Sequence, residues 1–316
     1  MAARNSDSMT LPPQPVAHLI IGRRAEPYLE ASLHSAAAAC GHLVVNDNSP
    51  AGRSPHADAL GASDFGRDGR MTLLRTSFVD FASARNACID GTPPQFREGW
   101  ALFFDADEVH GPELPAMSGL LRDLPADVAA VDGYSRHFVG SFRWYSSVAR
   151  RLCFFRLSTA RRWHGPVHEQ LAPVARRIAL PAVWSHYGHV VTPRMEAEKG
   201  RLYSSLGQAG SVVTEHELDA LDAQVWRAML KTALPFSGRH EPAVLETVRT
   251  LTGAWAGTFA QVDALARTRS GADWALAALK GANIARLITL RRVEARLRFG
   301  WPDRYHAALL NSSAVR

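Results

Sequence analysis

The chain has 316 residues, 47% hydrophobic and 21% charged, a balance that excludes disordered, fibrous and low-complexity proteins, and a length that points to about two domains. Its formal net charge of +6 comes almost wholly from arginine, since only Lys199, Lys231 and Lys280 are lysines; the excess suits phosphate recognition, although abundant alanine also points to genome composition. Three widely spaced cysteines, Cys40, Cys88 and Cys153, argue against a disulfide framework and a cysteine-type zinc site.

Residues 1–15 are polar and proline-bearing and lack the apolar stretch of a secretory signal; they read as a flexible tail and the protein as cytoplasmic. Residues 16–21 (VAHLII) form the first predicted strand. Residues 26–40 then place Leu29, Leu33, Ala36, Ala37 and Cys40 on one helical stripe, stopped by Gly41. A second strand at 42–46 runs into a polar turn at 47–53, and a third strand occupies 71–75. Asp80 caps a helix that Gly91 ends, and a fourth strand at 100–104 runs into Asp105-Ala106-Asp107-Glu108. This alternation implies parallel strands with right-handed crossovers, an architecture that binds ligands beyond the carboxyl ends of its strands. Both acidic turns fall there. A helix from Pro112 and strands at 128–131, 152–156 and 183–187 follow, and beyond Pro193 the pattern is helical throughout. The expected division is an α/β unit over 16–193 and a helical region over 194–316.

Several side chains in this frame could carry chemistry. Asp105 and Asp107, one residue apart at the exposed end of a buried strand, suit a hard divalent ion shared with phosphates. The competing reading is an acidic loop that caps the next helix. Gly165-Pro166-Val167-His168-Glu169 begins like a zinc-protease motif, but Ala172 stands where the second histidine belongs. Glu169 is left as a candidate general base or a salt-bridged carboxylate. His186 and His189 are available as further metal ligands. For an anionic ligand the candidates are Arg23, Arg24 and Arg85 at a diphosphate, and Asp47, Asn48 and Asn86 at a base or ribose. No Gly-x-Gly-x-x-Gly follows a strand and no Walker sequence occurs, which weighs against a dinucleotide dehydrogenase and a P-loop NTPase.

The order of segments resembles the inverting family 2 glycosyltransferases of the GT-A fold. The matching segments are Asp80-Phe81-Ala82-Ser83-Ala84-Arg85-Asn86, Asp105-Ala106-Asp107-Glu108, Gly165-Pro166-Val167-His168-Glu169 and His186-Tyr187-Gly188. The resemblance implies a Rossmann-like, mostly parallel sheet flanked by helices, with a helical C-terminal region. It also implies a nucleoside-diphosphate-sugar donor, a Mn²⁺ or Mg²⁺ cofactor, and a glycan, lipid-linked or other hydroxyl acceptor. Asp47 would meet the nucleobase, Asp105 the ribose or metal, Asp107 and His186 the metal, and Glu169 would be the catalytic base. Two segments depart from the family pattern. Arg23-Arg24-Ala25-Glu26 replaces Lys-Asn-Glu-Glu, and Asp47-Asn48-Ser49-Pro50 lacks the usual glycine and second aspartate, both at the nucleotide pocket.

Two alternatives remain at this level: a haloacid-dehalogenase-type phosphatase with Asp105 as nucleophile, and a transferase homologue that binds a nucleotide sugar without turnover. The dispersed arginines and the lack of any nucleic-acid-binding signature exclude nucleic acid as a partner. Arg286, Arg291, Arg292, Arg296 and Arg298 among Leu287, Leu290, Val293 and Leu297 suit peripheral membrane contact or a docked helix with a solvated basic face.

Overall fold

A segment of five apolar residues and the buried His18, Val16–Ile21 (β1), forms the centre of the first half of the sheet. The computed structural model describes residues 14–22, 24–50, 54–158, 161–208 and 221–301; most of the expected N-terminal tail and residue Arg23 lie outside these. In chain order β1 is followed by α1 (Leu29–Ala37), β2 (His42–Asp47), α2 (Ala57–Ala62), α3 (Asp64–Arg67), β3 (Met71–Leu74), α4 (Phe81–Asp90), β4 (Trp100–Phe103), β5 (Glu108–Val109) and α5 (Glu113–Leu120). Next come β6 (Val128–Val139), β7 (Ser141–Arg156), β8 (Arg162–His164), β9 (Gln170–Ala172) and β10 (Arg176–His189). The chain continues through α6 (Pro193–Ser205), α7 (Arg227–Leu230), β11 (Leu234–Pro235), α8 (Leu245–Ala254), α9 (Ala256–Arg267) and α10 (Gly271–Phe299).

The main sheet has the order β3-β2-β1-β4-β7-β6-β10-β5, with β11 added alongside β7. β1 to β4 are mutually parallel, as the alternation of strands and helices requires, and β7 enters antiparallel to both β4 and β6. The expected short strands at 128–131 and 152–156 are the ends of a long hairpin, β6 and β7, turned at Gly140 with a positive φ of 65°. Polar residues inside it looked like strand breaks. They are tolerated because they pair across the sheet: the fully buried Asp132 accepts from Arg150 Nε and Arg177 Nε, each at 2.5 Å.

Pro193 begins α6, with Thr192 accepting from the Met195 amide at 3.3 Å as its N-cap. The core does not divide there. Leu234, Val244, Leu251, Phe259 and Ala277 pack in one cluster with Tyr28, Phe138, Phe142 and Tyr187 of the α/β half. Ile288 of α10 packs on Tyr134 and Val183. The helical region therefore covers one face of the sheet rather than standing apart from it.

One charged cluster lies in this seam. A Cβ at Gly111 would sit 2.7 Å from Glu113 Oε2 and 3.0 Å from Glu241 Oε1, so the two carboxylates converge there. Burial, then repulsion from Glu113, pushes the Glu241 carboxyl up to about 7, with Arg136 opposing. Because this pKa is raised, the folded state holds a proton that the unfolded chain has released, and stability falls as pH rises from about 4.5 to about 7. Glu241→Gln is expected to flatten that fall and to raise Tm near pH 8 (about one unit above the folded pKa) relative to wild type. Thermal melts across the range check this, and an equally steep profile in the variant would contradict it.

Candidate active site

The carboxyl ends of β1, β2 and β4 open into a cleft of about 1870 Å³, walled on its other sides by the 165–169 loop and by α6. Its floor is organised by one arginine. Arg85 is carried on α4, whose N-cap Asp80 accepts from the Ser83 amide at 2.6 Å. Its guanidinium is buried 4.1 Å over the Phe103 ring. Nε donates to Glu169 Oε1 at 2.8 Å and an Nη donates to Asp105 Oδ1. The second Asp105 oxygen accepts from Arg151 on β7. Burial opposes the charge on Asp105, but Arg151 and Arg85 outweigh it and hold the carboxyl down at about 2.

The other acids of this turn have separate uses. Glu108, the last of the segment, is fully buried: Oε1 accepts from Trp184 Nε1 at 2.9 Å and Oε2 from the Asp105 amide at 3.1 Å. It shapes the turn. Asp107 points instead at His186, with Oδ1 3.3 Å from Nε2, and this buried oxygen has no hydrogen-bond partner. Burial again opposes ionisation, yet His186, then Lys199 and Arg151, hold its pKa well below the carboxylate range. His186 Nδ1 lies 2.9 Å from His137 Nδ1 on the neighbouring strand β6, where the two residues are register partners. Burial, then His186, pushes His137 down to about 2, so it is neutral.

Asp105, Asp107 and His186 each offer a ligand atom, and these atoms lie within 4.8 Å of one another. Two carboxylates and an imidazole suit Mn²⁺ or Mg²⁺, and the orphaned Asp107 oxygen is an acceptor that a cation would satisfy. Gly188 keeps the space open: a Cβ there would stand 2.5 Å from Asp107 Oδ2 and 2.9 Å from His186 Nε2. His189 is not in the cluster, because its Nδ1 pairs with Glu196 Oε1 at 2.9 Å.

The second wall is built at the end of β2. Asp47 is buried and accepts from the Ser49 amide at 2.9 Å. Burial opposes its ionisation, but hydrogen bonds from Ser49 and Ser54 hold its pKa down. Asn48 donates to Thr76 O at 2.8 Å, and Gly22 O lies 2.8 Å from Ser49 Oγ and 2.9 Å from His56 Nε2. Asp47, Asn48, Arg85 and Asp105 all line the cleft. Asn86 does not line it; its amide clamps the Trp163 backbone at 2.8 and 3.0 Å and so holds β8 against α4. Arg24 lines the cleft but is engaged by Met195 O at 3.1 Å and faces Glu26 at 3.8 Å. Glu26 Oε1 is buried without a hydrogen-bond partner, and burial, then Asp107, pushes its carboxyl up to about 8.

Glu169 reaches Arg85 from a loop containing two left-handed residues, Gly165 at φ 96° and His168 at φ 54°. For histidine that conformation costs on the order of 1 kcal/mol, strain of the kind kept where a side chain must be aimed. Sequence reasoning missed Arg151, His137 and Lys199. Lys199 extends from α6 into the cleft, 3.4 Å from Gly188 O and 5.8 Å from the centre of the Tyr203 ring. The only signal available for it was the rarity of lysine in the chain.

Residues 19–180 match the family model described as glycosyl transferase family 2. The match spans more than half of the chain, and the protein belongs to that family and is a glycosyltransferase. Its α/β architecture is of the GT-A type. Among solved structures it is similar to a mannosyltransferase, PcManGT, from Pyrobaculum calidifontis, solved with GDP-Man and Mn²⁺, at 16% identity and TM-score 0.42, over 92% of this chain and 88% of that one. It is also similar to residues 1–349 of S. aureus TarS, at 13% identity and TM-score 0.35, over 90% and 92% of the two chains. A search of curated proteins gave no match. The phosphatase alternative requires Asp105 as a free nucleophile, whereas both its oxygens accept from arginines; family membership sets that reading aside. Among the described residues no helix is long and apolar enough to cross a membrane.

Gly188→Ala is expected to weaken divalent-metal binding by roughly 10-fold or more, the scale of losses seen when groups supporting metal ligands are altered. The measurement is Mn²⁺ titration by calorimetry; wild-type affinity in the variant would show that the Cβ is accommodated without disturbing the cluster.

Proposed function

We propose that the enzyme transfers a sugar from a nucleoside-diphosphate donor to an acceptor hydroxyl by a single displacement that inverts the anomeric centre. The reading rests on one observation: the Asp105, Asp107 and His186 cluster and the carboxylate Glu169 are joined through the buried Arg85 on the floor of one cleft. Asp105, Asp107 and His186 hold the divalent metal, Mn²⁺ or Mg²⁺. When bound, that ion neutralises charge growing on the departing diphosphate. Asp47 and Asn48, preorganised by Ser49 and Thr76, meet the nucleobase and ribose side of the donor. Arg23, Arg24 and Lys199 supply positive charge to the diphosphate.

Glu169 is the general base. With Oε1 held by Arg85, its other oxygen takes the proton of the attacking hydroxyl, and the same guanidinium fixes the base relative to the donor-side carboxylate. Attack comes from the face opposite the leaving group, so one displacement inverts the configuration. The acceptor is a hydroxyl of a glycan, a lipid-linked saccharide or another alcohol.

Two experiments test this reading. In thermal-shift assays at least one nucleoside diphosphate should stabilise wild type in the presence of Mn²⁺, by mass action, and should stabilise Asp107→Ala much less. If no nucleotide shifts wild type, or both proteins respond alike, the donor assignment fails. Glu169→Gln should lower kcat by about 10²- to 10⁴-fold while leaving nucleotide-induced stabilisation intact, with the product anomer read by NMR. Retention of configuration, or a variant as active as wild type, would remove Glu169 from the role of base.

A further inference from the structure

Six aliphatic side chains on α10, Leu276, Leu279, Leu287, Leu290, Val293 and Leu297, are 41 to 80% exposed. At about 100° per residue they fall within an arc of roughly 120° on one face of the helix. Ala277, Ile288 and Ala295 on the other side are buried, and Ile288 packs on Tyr134 and Val183. The helix is thus docked, as a surface helix should be, but its outward face is leucine-rich where a solvated face would be charged. Between residues 284 and 300 the stripe is accompanied by five arginines and a single acid, Glu294. That acid is neutralised by Arg291 at 2.5 Å and Arg298 at 3.2 Å.

We propose that this face of α10 is an interfacial helix that seats the enzyme on a membrane surface containing anionic lipid. Aliphatic side chains enter the headgroup boundary while flanking arginines pair with lipid phosphates, the combination that gives reversible surface binding. A second copy of the chain fits the same face less well. A two-fold contact sets each patch against itself, bringing Arg286, which lies within the stripe, and its neighbouring arginines against their own counterparts. Anionic headgroups remove that repulsion. The attachment also leaves the cleft open. Val183 pairs with Tyr134 and His186 with His137 in unbroken register, and alternation along the strands puts the two histidines on the sheet face opposite α10.

The test is co-sedimentation of the full chain with phosphatidylcholine vesicles and with phosphatidylcholine vesicles containing phosphatidylglycerol. Wild type should sediment with the anionic vesicles, not with the neutral ones, and less at high salt. Leu290→Ser/Leu297→Ser should lower partitioning by about tenfold or more with an unchanged thermal melt, both side chains being exposed. Arg286→Glu, tested separately, should weaken binding to anionic vesicles only. Failure of wild type to sediment, or binding by the double variant at the wild-type level, overturns the proposal. So does sedimentation-velocity evidence for a dimer that the double variant dissolves while vesicles go unbound, which would assign the stripe to a second copy.

Discussion

A single buried guanidinium organises the active site. Arg85 cannot lie under Phe103 and beside apolar strands unless its charge is matched, and Asp105 and Glu169 are the groups that match it. Burial lowers the affinity of such a group for its proton, and the two carboxylates reverse the effect, so its pKa is raised. The electrostatic need to pair one cation thereby ties the turn after β4 to a loop more than sixty positions later in the sequence. A candidate metal-ligating carboxylate and a candidate base share one anchor, and neither can be displaced without exposing the other's partner to an uncompensated cost.

The second half of the sheet applies the same rule to the cluster of Asp105, Asp107 and His186. The hairpin of β6 and β7 delivers Arg151 to Asp105, and the parallel pairing of β6 with β10 delivers His137 to His186. These strands carry charged and polar residues through a buried layer, which is possible because Asp132, His137 and Arg151 meet partners on neighbouring segments and Arg136 packs over the Tyr145 and Phe236 rings. Gly188 then leaves room where Asp107 and His186 approach each other. The helical region closes the arrangement from outside: α6 brings Lys199 to the cleft, while α10 covers the far face and presents its aliphatic stripe outward.

Much of the fold was legible because β1 to β4 and the helices between them are local patterns. Apolar runs of four to six residues and the capping aspartate Asp80 announce themselves within a few residues. The long hairpin was legible only at its apolar ends, since Asp132, Arg136, His137, Arg150 and Arg151 look like solvent-facing breaks until their partners are known. For the site, Asp105, Asp107, His186 and Glu169 stood out by motif. Asn86 was grouped with them through its motif neighbours, yet its amide serves the Trp163 backbone.

The sequence by itself determined the parallel half of the sheet, the family resemblance and the acidic, histidine and glutamate segments, because each is written in consecutive residues. Tertiary structure alone decided that Arg85 is bound by two carboxylates, that His186 rather than His189 joins the aspartates, and that Lys199 faces the cleft. Those outcomes depend on strand register and on which charges are buried together. Both follow from how distant segments pack, and neither is encoded in local spacing.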